Sequence, residues 1–233
     1  MPSNYFVYTI IFSRTQNSVR FIEFQKRAKA YFFHTRGGRV YQRGTPFDLH
    51  GAAKFALPGG GFEGDDWDDD NEVYQNCERE FTEECGRLIS FVPGDEVAND
   101  YADDEDEVIE VEVFLKRWAV ELQDKPDIKG YAAMYIKVPD NQLEVVRDYI
   151  AECFAQRDQA VEQIANGQIR RYPQIARLFP MAPMDDELVL AEPAIGEIRQ
   201  DGFNNNQWIQ GLFADGDTNW FAEIIKALET IDG

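Results

Sequence analysis

The first third of the chain is built from short apolar blocks rich in aromatic and β-branched residues: Tyr5 to Phe12, Val19 to Phe24, Ala28 to Phe33 and Val40 to Arg43. Blocks of this length predict strands, with Gly37-Gly38 as the turn between the last two. The period changes over Asn71 to Cys85, where Val73, Cys77 and Phe81 recur every four residues on one helical face and carboxylates occupy another. Asp70 or Asn71 can cap that helix by accepting its first free N–H groups, and Gly86 can end it. Val108 to Leu115 and Ala132 to Val138 predict two more strands, the second stopped by Pro139-Asp140-Asn141. Leu143 to Gln168 then reads as a long amphipathic helix, or two, with Val145, Ile150, Cys153, Phe154, Val161 and Ile164 as its apolar stripe. We read this as a helical insertion of about 141–178 inside a single domain spanning 1–233. Pro180 and Pro183 interrupt the chain before Asp185-Asp186-Glu187-Leu188-Val189-Leu190, and a closing helix from Thr218 to Ile231 carries Trp220, Ile224, Ile225 and Leu228 on one side.

Composition narrows what such a fold can do. A net charge of −20 sets up a field that repels nucleic acid and anionic lipid, so a nucleic-acid partner and a membrane partner are both disfavoured. A small anionic substrate is not excluded, because bound divalent cations reverse the local sign. The acidic run Asp103 to Glu107 reads as a solvated loop leading into a strand. No run approaches the ~18 apolar residues needed to cross a bilayer, and the apolar opening Phe6 to Phe12 lacks the preceding basic region of a signal peptide. Cys77, Cys85 and Cys153 have neither zinc-knuckle nor disulfide-framework spacing. Cys77 and Cys85 lie roughly 12 Å apart along one helix and cannot bridge each other. These features predict a reducing, cytoplasmic setting.

The chemistry concentrates on the helix that carries Glu80, Glu83 and Glu84. Positions i, i+3 and i+4 bring the three carboxylates to one face, where they repel one another by a few tenths of a kcal/mol per exposed pair. A hard divalent cation compensates such crowding, and oxygen-only ligation suits Mg²⁺ or Mn²⁺. Arg79, four residues before Glu83, can lock one carboxylate while the others face the metal. The bland alternative is a solvated acidic helix face. The preceding Leu57-Pro58-Gly59-Gly60-Gly61 weighs against it, since glycines let backbone approach a metal or phosphate closely.

These residues resemble the Nudix box, G-x5-E-x7-R-E-U-x-E-E-x-G-U, with U a bulky apolar residue. Gly60 and Asp66 match its first part with Asp for Glu, and Arg79-Glu80-Phe81-Thr82-Glu83-Glu84-Cys85-Gly86 matches the second without a gap. Phe55-Ala56-Leu57-Pro58-Gly59-Gly60 is similar to the family's strand-and-turn leader, and Glu63 falls where an extra glutamate is frequent. The chain departs from the pattern twice. Twelve residues separate Asp66 from Arg79 where the box has seven, the excess being Trp67-Asp68-Asp69-Asp70-Asn71, which we expect to form a solvated bulge. Arg87 stands where an apolar residue is expected, with Leu88 next to it.

The resemblance covers Phe55 to Leu88 directly and implies an α/β fold, an α/β/α sandwich around a mixed β-sheet, here with the extra helical insertion. It implies a Mg²⁺-dependent pyrophosphohydrolase that cleaves the diphosphate link of a small nucleoside diphosphate derivative: a nucleotide sugar, a dinucleotide or a dinucleoside polyphosphate. Metal ligands are then expected at Glu80, Glu83, Glu84 and the Gly60 carbonyl, with Arg79 holding the shell. The general base varies in position within the family; Glu187 is our candidate, with Glu105, Glu107 and Glu121 as rivals. Arg36, Arg39 and Arg43 beside the hairpin turn could contact substrate phosphate, and Arg170-Arg171-Tyr172 could stack a base, although both could be plain surface turns. His34 reads as structural, and with His50 is too far from any Ser or Cys motif for a triad. The helical insertion is a candidate pocket wall or homodimer surface. The alternatives to an enzyme of this class are a Nudix-fold module that binds nucleotide without cleaving it and, against the net charge, an RNA-cap hydrolase.

Overall fold

A computed structural model of the chain describes residues 5–35, 38–86, 111–121, 128–203 and 220–232. The apolar block at the start forms β1 (Tyr5–Arg14), followed by β2 (Ser18–Lys26), two short pieces β3 (Lys29–Ala30) and β4 (Phe32–Thr35), and β5 (Gly38–Tyr41). Then come β6 (Phe47–Asp48), β7 (Phe55–Ala56), β8 (Gly59–Gly61) and the helix α1 (Asp70–Cys85). The second half contributes β9 (Glu112–Glu121), β10 (Ile128–Lys137), α2 (Leu143–Ala165), α3 (Tyr172–Leu178), β11 (Leu188–Arg199) and α4 (Trp220–Ala227).

The central sheet runs β11-β2-β1-β10-β9. It is mixed, because β1 pairs with β10 in parallel while the remaining pairs are antiparallel. β1 and β2 meet only at Phe12 to Arg14 and then splay. The segment 55–61 fills the gap: Phe55-Ala56 pairs with Gln25 and Phe24, and Gly59 to Gly61 pairs with Tyr8 to Phe6. Between the two, the Thr9 amide donates to the Pro58 carbonyl at 2.9 Å. The glycine-rich turn is thereby held inside the sheet, with its backbone fixed from both sides.

Alternation along the strands divides the core in two, as a period of two requires. Val7, Ile11, Met134 and Ile136 point to one face and share a core with Val73, Cys77 and Phe81 of α1 and with Leu143, Val146, Ile150 and Phe154 of α2. Tyr8, Ile10, Phe12, Ala133 and Tyr135 point to the other and pack on Phe221, Ile224 and Ile225 of α4 and on Leu228 just beyond it. The result is a mixed α/β fold with a central mixed sheet and helices against both faces, compatible with the expected layers. Among the described residues no helix is long and apolar enough to cross a membrane.

Several sequence-based boundaries shift. Helix α1 begins one residue early and is capped by Asp69, whose carboxylate accepts the Asn71 amide at 2.9 Å, not by Asp70 or Asn71. Helix α2 stops at Ala165 because Gly167 adopts φ +73°, a left-handed conformation that ends helices. Val145 does not belong to its stripe: it is 42% exposed, since two residues from Leu143 and five from Ile150 place it on the opposite side of a 3.6-residue turn. The interior position that periodicity alone would not assign is Arg157, which is fully buried. The expected strand from Val108 starts at Glu112 among the described residues, and Arg36, Arg87, Leu88, Glu105 and Glu107 lie outside them.

Candidate metal and phosphate site

Helix α1 is pressed onto the sheet by Val73, Cys77, Phe81 and Cys85, all fully buried. Each large apolar side chain so removed from water contributes about 1.5–3 kcal/mol. That anchoring leaves no rotational freedom, so Glu80, Glu83 and Glu84 must face the splayed gap between β1 and β2 where the glycine turn sits. The Gly59 amide donates to Glu84 Oε2 at 2.7 Å. A Cβ placed on Gly60 would lie 2.5 Å from Glu80 Oε2, so only a residue without a side chain lets this backbone reach the carboxylate.

Arg79 ties the turn to the helix. Its Nη2 donates to Glu80 Oε1 at 2.7 Å, to the Gly61 carbonyl at 3.1 Å and to Asn76 Oδ1 at 3.2 Å, while Nη1 reaches Glu83 Oε2 at 3.5 Å. Asn76 completes the junction, accepting the Glu63 amide at 2.9 Å and donating to the Glu72 carbonyl at 2.9 Å. Sequence reasoning passed over Asn76; its signal is its place one helical turn before Arg79, on the same face.

The five-residue insertion does not push the turn away from the glutamates. Asp68, Asp70 and Asn71 of the insertion are exposed, as a solvated bulge requires, but Trp67 departs from that expectation and folds back over the strand ends. The indole stacks on Tyr5 with ring centroids 4.6 Å apart, meets Phe62 edge-on at 5.2 Å and has the Arg117 guanidinium 6.0 Å from its centre. Arg117 in turn pairs with Asp70 at 2.5 Å. Asp66, matched above to a box glutamate, closes a local turn by accepting the Asp68 amide at 2.9 Å. Glu72 takes the amides of Asp65 and Asp66 at 2.7 and 3.0 Å, which fixes the loop leading into α1.

The loop before β11 returns to the same place. The Asp185 amide donates to the Glu83 carbonyl at 2.9 Å, and Asp186, fully buried, accepts the amides of Tyr31 and Phe32 at 2.8 and 3.0 Å. Behind it, Arg157 of α2 donates to the Leu188 carbonyl and lies 4.1 Å from the Phe154 ring centre. Burial pulls the Arg157 guanidinium down to about 10, with Asp158 and Asp186 opposing. Glu187, the expected base, is held by Lys26 at 2.9 Å and lies close enough to Glu84 to act on its charge. Of its rivals, Glu121 is at the end of β9. Arg43 is exposed just past β5.

Crowding shows in the electrostatics. Burial pushes the Glu80 carboxyl up to about 7, opposed by Arg79 and reinforced by Glu83 and Glu63. Burial also raises Glu84 well above the usual carboxylate range, with Glu187, Glu80 and Asp185 adding to the shift and the Gly59 amide opposing it. At Arg79 burial works against the charge, but Glu80, Glu83 and Glu63 outweigh it and raise the guanidinium. Carboxylates in such surroundings are poorly compensated by one arginine, and a divalent cation is the group that relieves them. Among the described residues the side chains do not yet converge as a ready ligand set. Glu80 is directed to Arg79 and Glu84 to the Gly59 amide, and rotation of these carboxylates within the gap is what coordination asks of them. The donor set, all carboxylate and backbone oxygen, fits Mg²⁺ or Mn²⁺.

Comparison with known proteins finds no family whose sequence profile matches the chain and no matching curated protein.

Proposed function

We propose that the chain is a Mg²⁺-dependent pyrophosphohydrolase of the Nudix type, cleaving the diphosphate link of a small nucleoside diphosphate derivative within a Nudix-like α/β/α sandwich. One observation carries the reading: the Gly59-Gly60 turn is seated against Glu80 and Glu84 even though five extra residues stand between turn and helix. A solvated acidic helix face has no reason to bury Glu83 and Glu84 to 7% and 8% exposure beneath a glycine turn.

Glu80, Glu84 and the Gly60 carbonyl are the groups that would hold the cation, with Glu83 as a further ligand. A divalent cation held by these groups would supply charge neutralisation at the diphosphate and Lewis acidity toward the attacking water. Arg79 keeps Glu80 and Glu83 in position and fixes the turn through Gly61. Glu187, whose charge acts on Glu84 and whose carboxylate is held by Lys26 at 2.9 Å, is the residue to take the proton of the attacking water. The three buried free cysteines suit a reducing, cytoplasmic setting.

The second reading is a module that binds nucleotide without cleaving it, and the tie between Glu80 and Arg79 favours it. Mg²⁺-dependent release of nucleoside monophosphate from a panel of nucleotide sugars, dinucleotides and dinucleoside polyphosphates separates the two. The expected result is turnover by the wild-type chain and a loss of at least about 100-fold in Glu84→Gln. A panel with no turnover at all sinks the enzyme and leaves the binding module.

A further inference from the structure

Two stretches of this acidic chain, residues 24–47 and 163–184, contain none of its 43 aspartates and glutamates yet hold nine of its 23 lysines and arginines. The fold packs these stretches together. Phe32 shares a small core with Ala160, Ile164, Ile169, Ile175 and Phe179. The Tyr172 ring meets Phe32 edge-on at 5.7 Å, and the Tyr41 hydroxyl donates to the Ile169 carbonyl at 2.8 Å. That bond ties the chain two residues before Arg43 to the residue that precedes Arg170, so the Arg43 and Arg170-Arg171 segments lie side by side.

Three cations of this unit are neutralised: Lys26 by Glu187, Arg27 by Asp158 and Lys29 by Asp48. Arg43, Arg170 and Arg171 are exposed, and among the described residues no carboxylate pairs with them. The backbone beneath two of them is fixed, since Gln174 Oε1 accepts the amides of both Arg170 and Arg171 at 2.8 and 3.0 Å. The unit also abuts the carboxylate site. Tyr41 pairs with Phe32, and Phe32 exchanges hydrogen bonds with Asp186, so Tyr41, two residues before Arg43, stands two hydrogen-bonded neighbours, about 10 Å, from the loop of Asp185 and Glu187.

We propose that Arg43, Arg170 and Arg171 form a shelf for the outer phosphates of a condensed phosphate chain, so that the preferred substrate is a nucleotide with three or more phosphates in line. The substrate assignment rests on the pyrophosphohydrolase reading; the shelf itself does not. Guanidinium groups match phosphate oxygens bidentately. A short phosphate chain stays on the shelf, whereas a long nucleic acid would extend over a surface of net charge −20 within a Debye length of about 8 Å.

The test is calorimetric titration of the full chain with inorganic tripolyphosphate, without divalent metal, for wild type, Arg43→Gln, the Arg170→Gln/Arg171→Gln pair and Glu84→Gln, each checked by thermal unfolding. Wild type and Glu84→Gln should bind alike, each arginine removed should weaken binding roughly fivefold, and added salt should weaken wild-type binding. No binding by wild type, equal binding by folded arginine variants, or tighter binding of a 20-nucleotide single-stranded RNA than of tripolyphosphate overturns the shelf. A second arm compares kcat/KM for a dinucleoside polyphosphate and a nucleotide sugar; the arginine variants should lose activity on the first alone. If tripolyphosphate binds but nothing is hydrolysed, the hydrolase reading fails and the shelf stands.

Discussion

Replacing Gly60 by alanine perturbs the proposed site with a single methyl group. The added Cβ would sit 2.5 Å from Glu80 Oε2, 2.8 Å from Cδ and 2.9 Å from Oε1. Ordinary contact needs about 3.5 Å, so the carboxylate must retreat by about 1 Å. Since the atoms it meets are the end of a flexible side chain, the fold loses only an off-rotamer cost of about 0.5–1.5 kcal/mol. In a chain of this length that lowers Tm by only about 1–6 °C. A reacting group displaced by about 1 Å costs on the order of 100-fold in rate, equivalent to about 2.7 kcal/mol of barrier. We therefore expect Gly60→Ala to keep its fold, to lose about 100-fold in kcat/KM on the best nucleotide substrate and to bind Mn²⁺ more weakly in a direct titration. Gly59→Ala is the contrast: its Cβ would strike the Val7 carbonyl and the Tyr8 backbone, so folding itself should fail. A folded Gly60→Ala protein with wild-type turnover and Mn²⁺ affinity would refute the claim that this turn and Glu80 act together.

Trp67→Ala removes the ring that holds the insertion against Tyr5 and Phe62. It should cost about 2 kcal/mol in urea unfolding, below the value for a fully buried Trp because this one is half-buried; unchanged stability would mean that the insertion is not clasped. Asp232 pairs with Arg14 at 2.6 Å and Lys137 at 3.1 Å; burial works to raise its carboxyl, but these two cations outweigh it and hold it below the usual range. A lowered folded-state pKa contributes stability above the unfolded value and loses it as pH falls through the folded one. Asp232→Asn should therefore be less stable than wild type by about 1 kcal/mol at neutral pH, with the gap closing below about pH 4. A gap that persists at pH 2 contradicts this assignment.

What was legible in the sequence was periodic. Val73, Cys77 and Phe81 announced α1, and because that face is buried, Glu80 and Glu84, each three residues after a buried position, fall on its flank, about 60° round the helix. The wedge of β7 and β8 was harder to see, since Gly59 to Gly61 has no side chains to alternate and pairs by backbone alone. Trp67 was hidden by its company: four of the five inserted residues are acidic or amide, and average composition suggested a solvated loop. Arg157 inverted the usual rule, because a helix position that looks polar is interior when a carbonyl, a ring and a buried carboxylate await it. The shelf arginines lie about 130 residues apart in the chain, and tertiary contacts that no local pattern announces, Tyr41 to Ile169 and Phe32 to Tyr172, make them neighbours.

The parallel pairing of β1 with β10 has a consequence for how the chain is made. Tyr5 to Phe12 leave the ribosome more than a hundred residues before their partners Gly130 to Lys137. Until then the most apolar strand of the sheet has one open side and the glycine turn has no rigid floor. Nascent chains stalled before residue 137 should be chaperone clients, and the glycine turn should seat against Glu80 and Glu84 only once β10 has paired with β1.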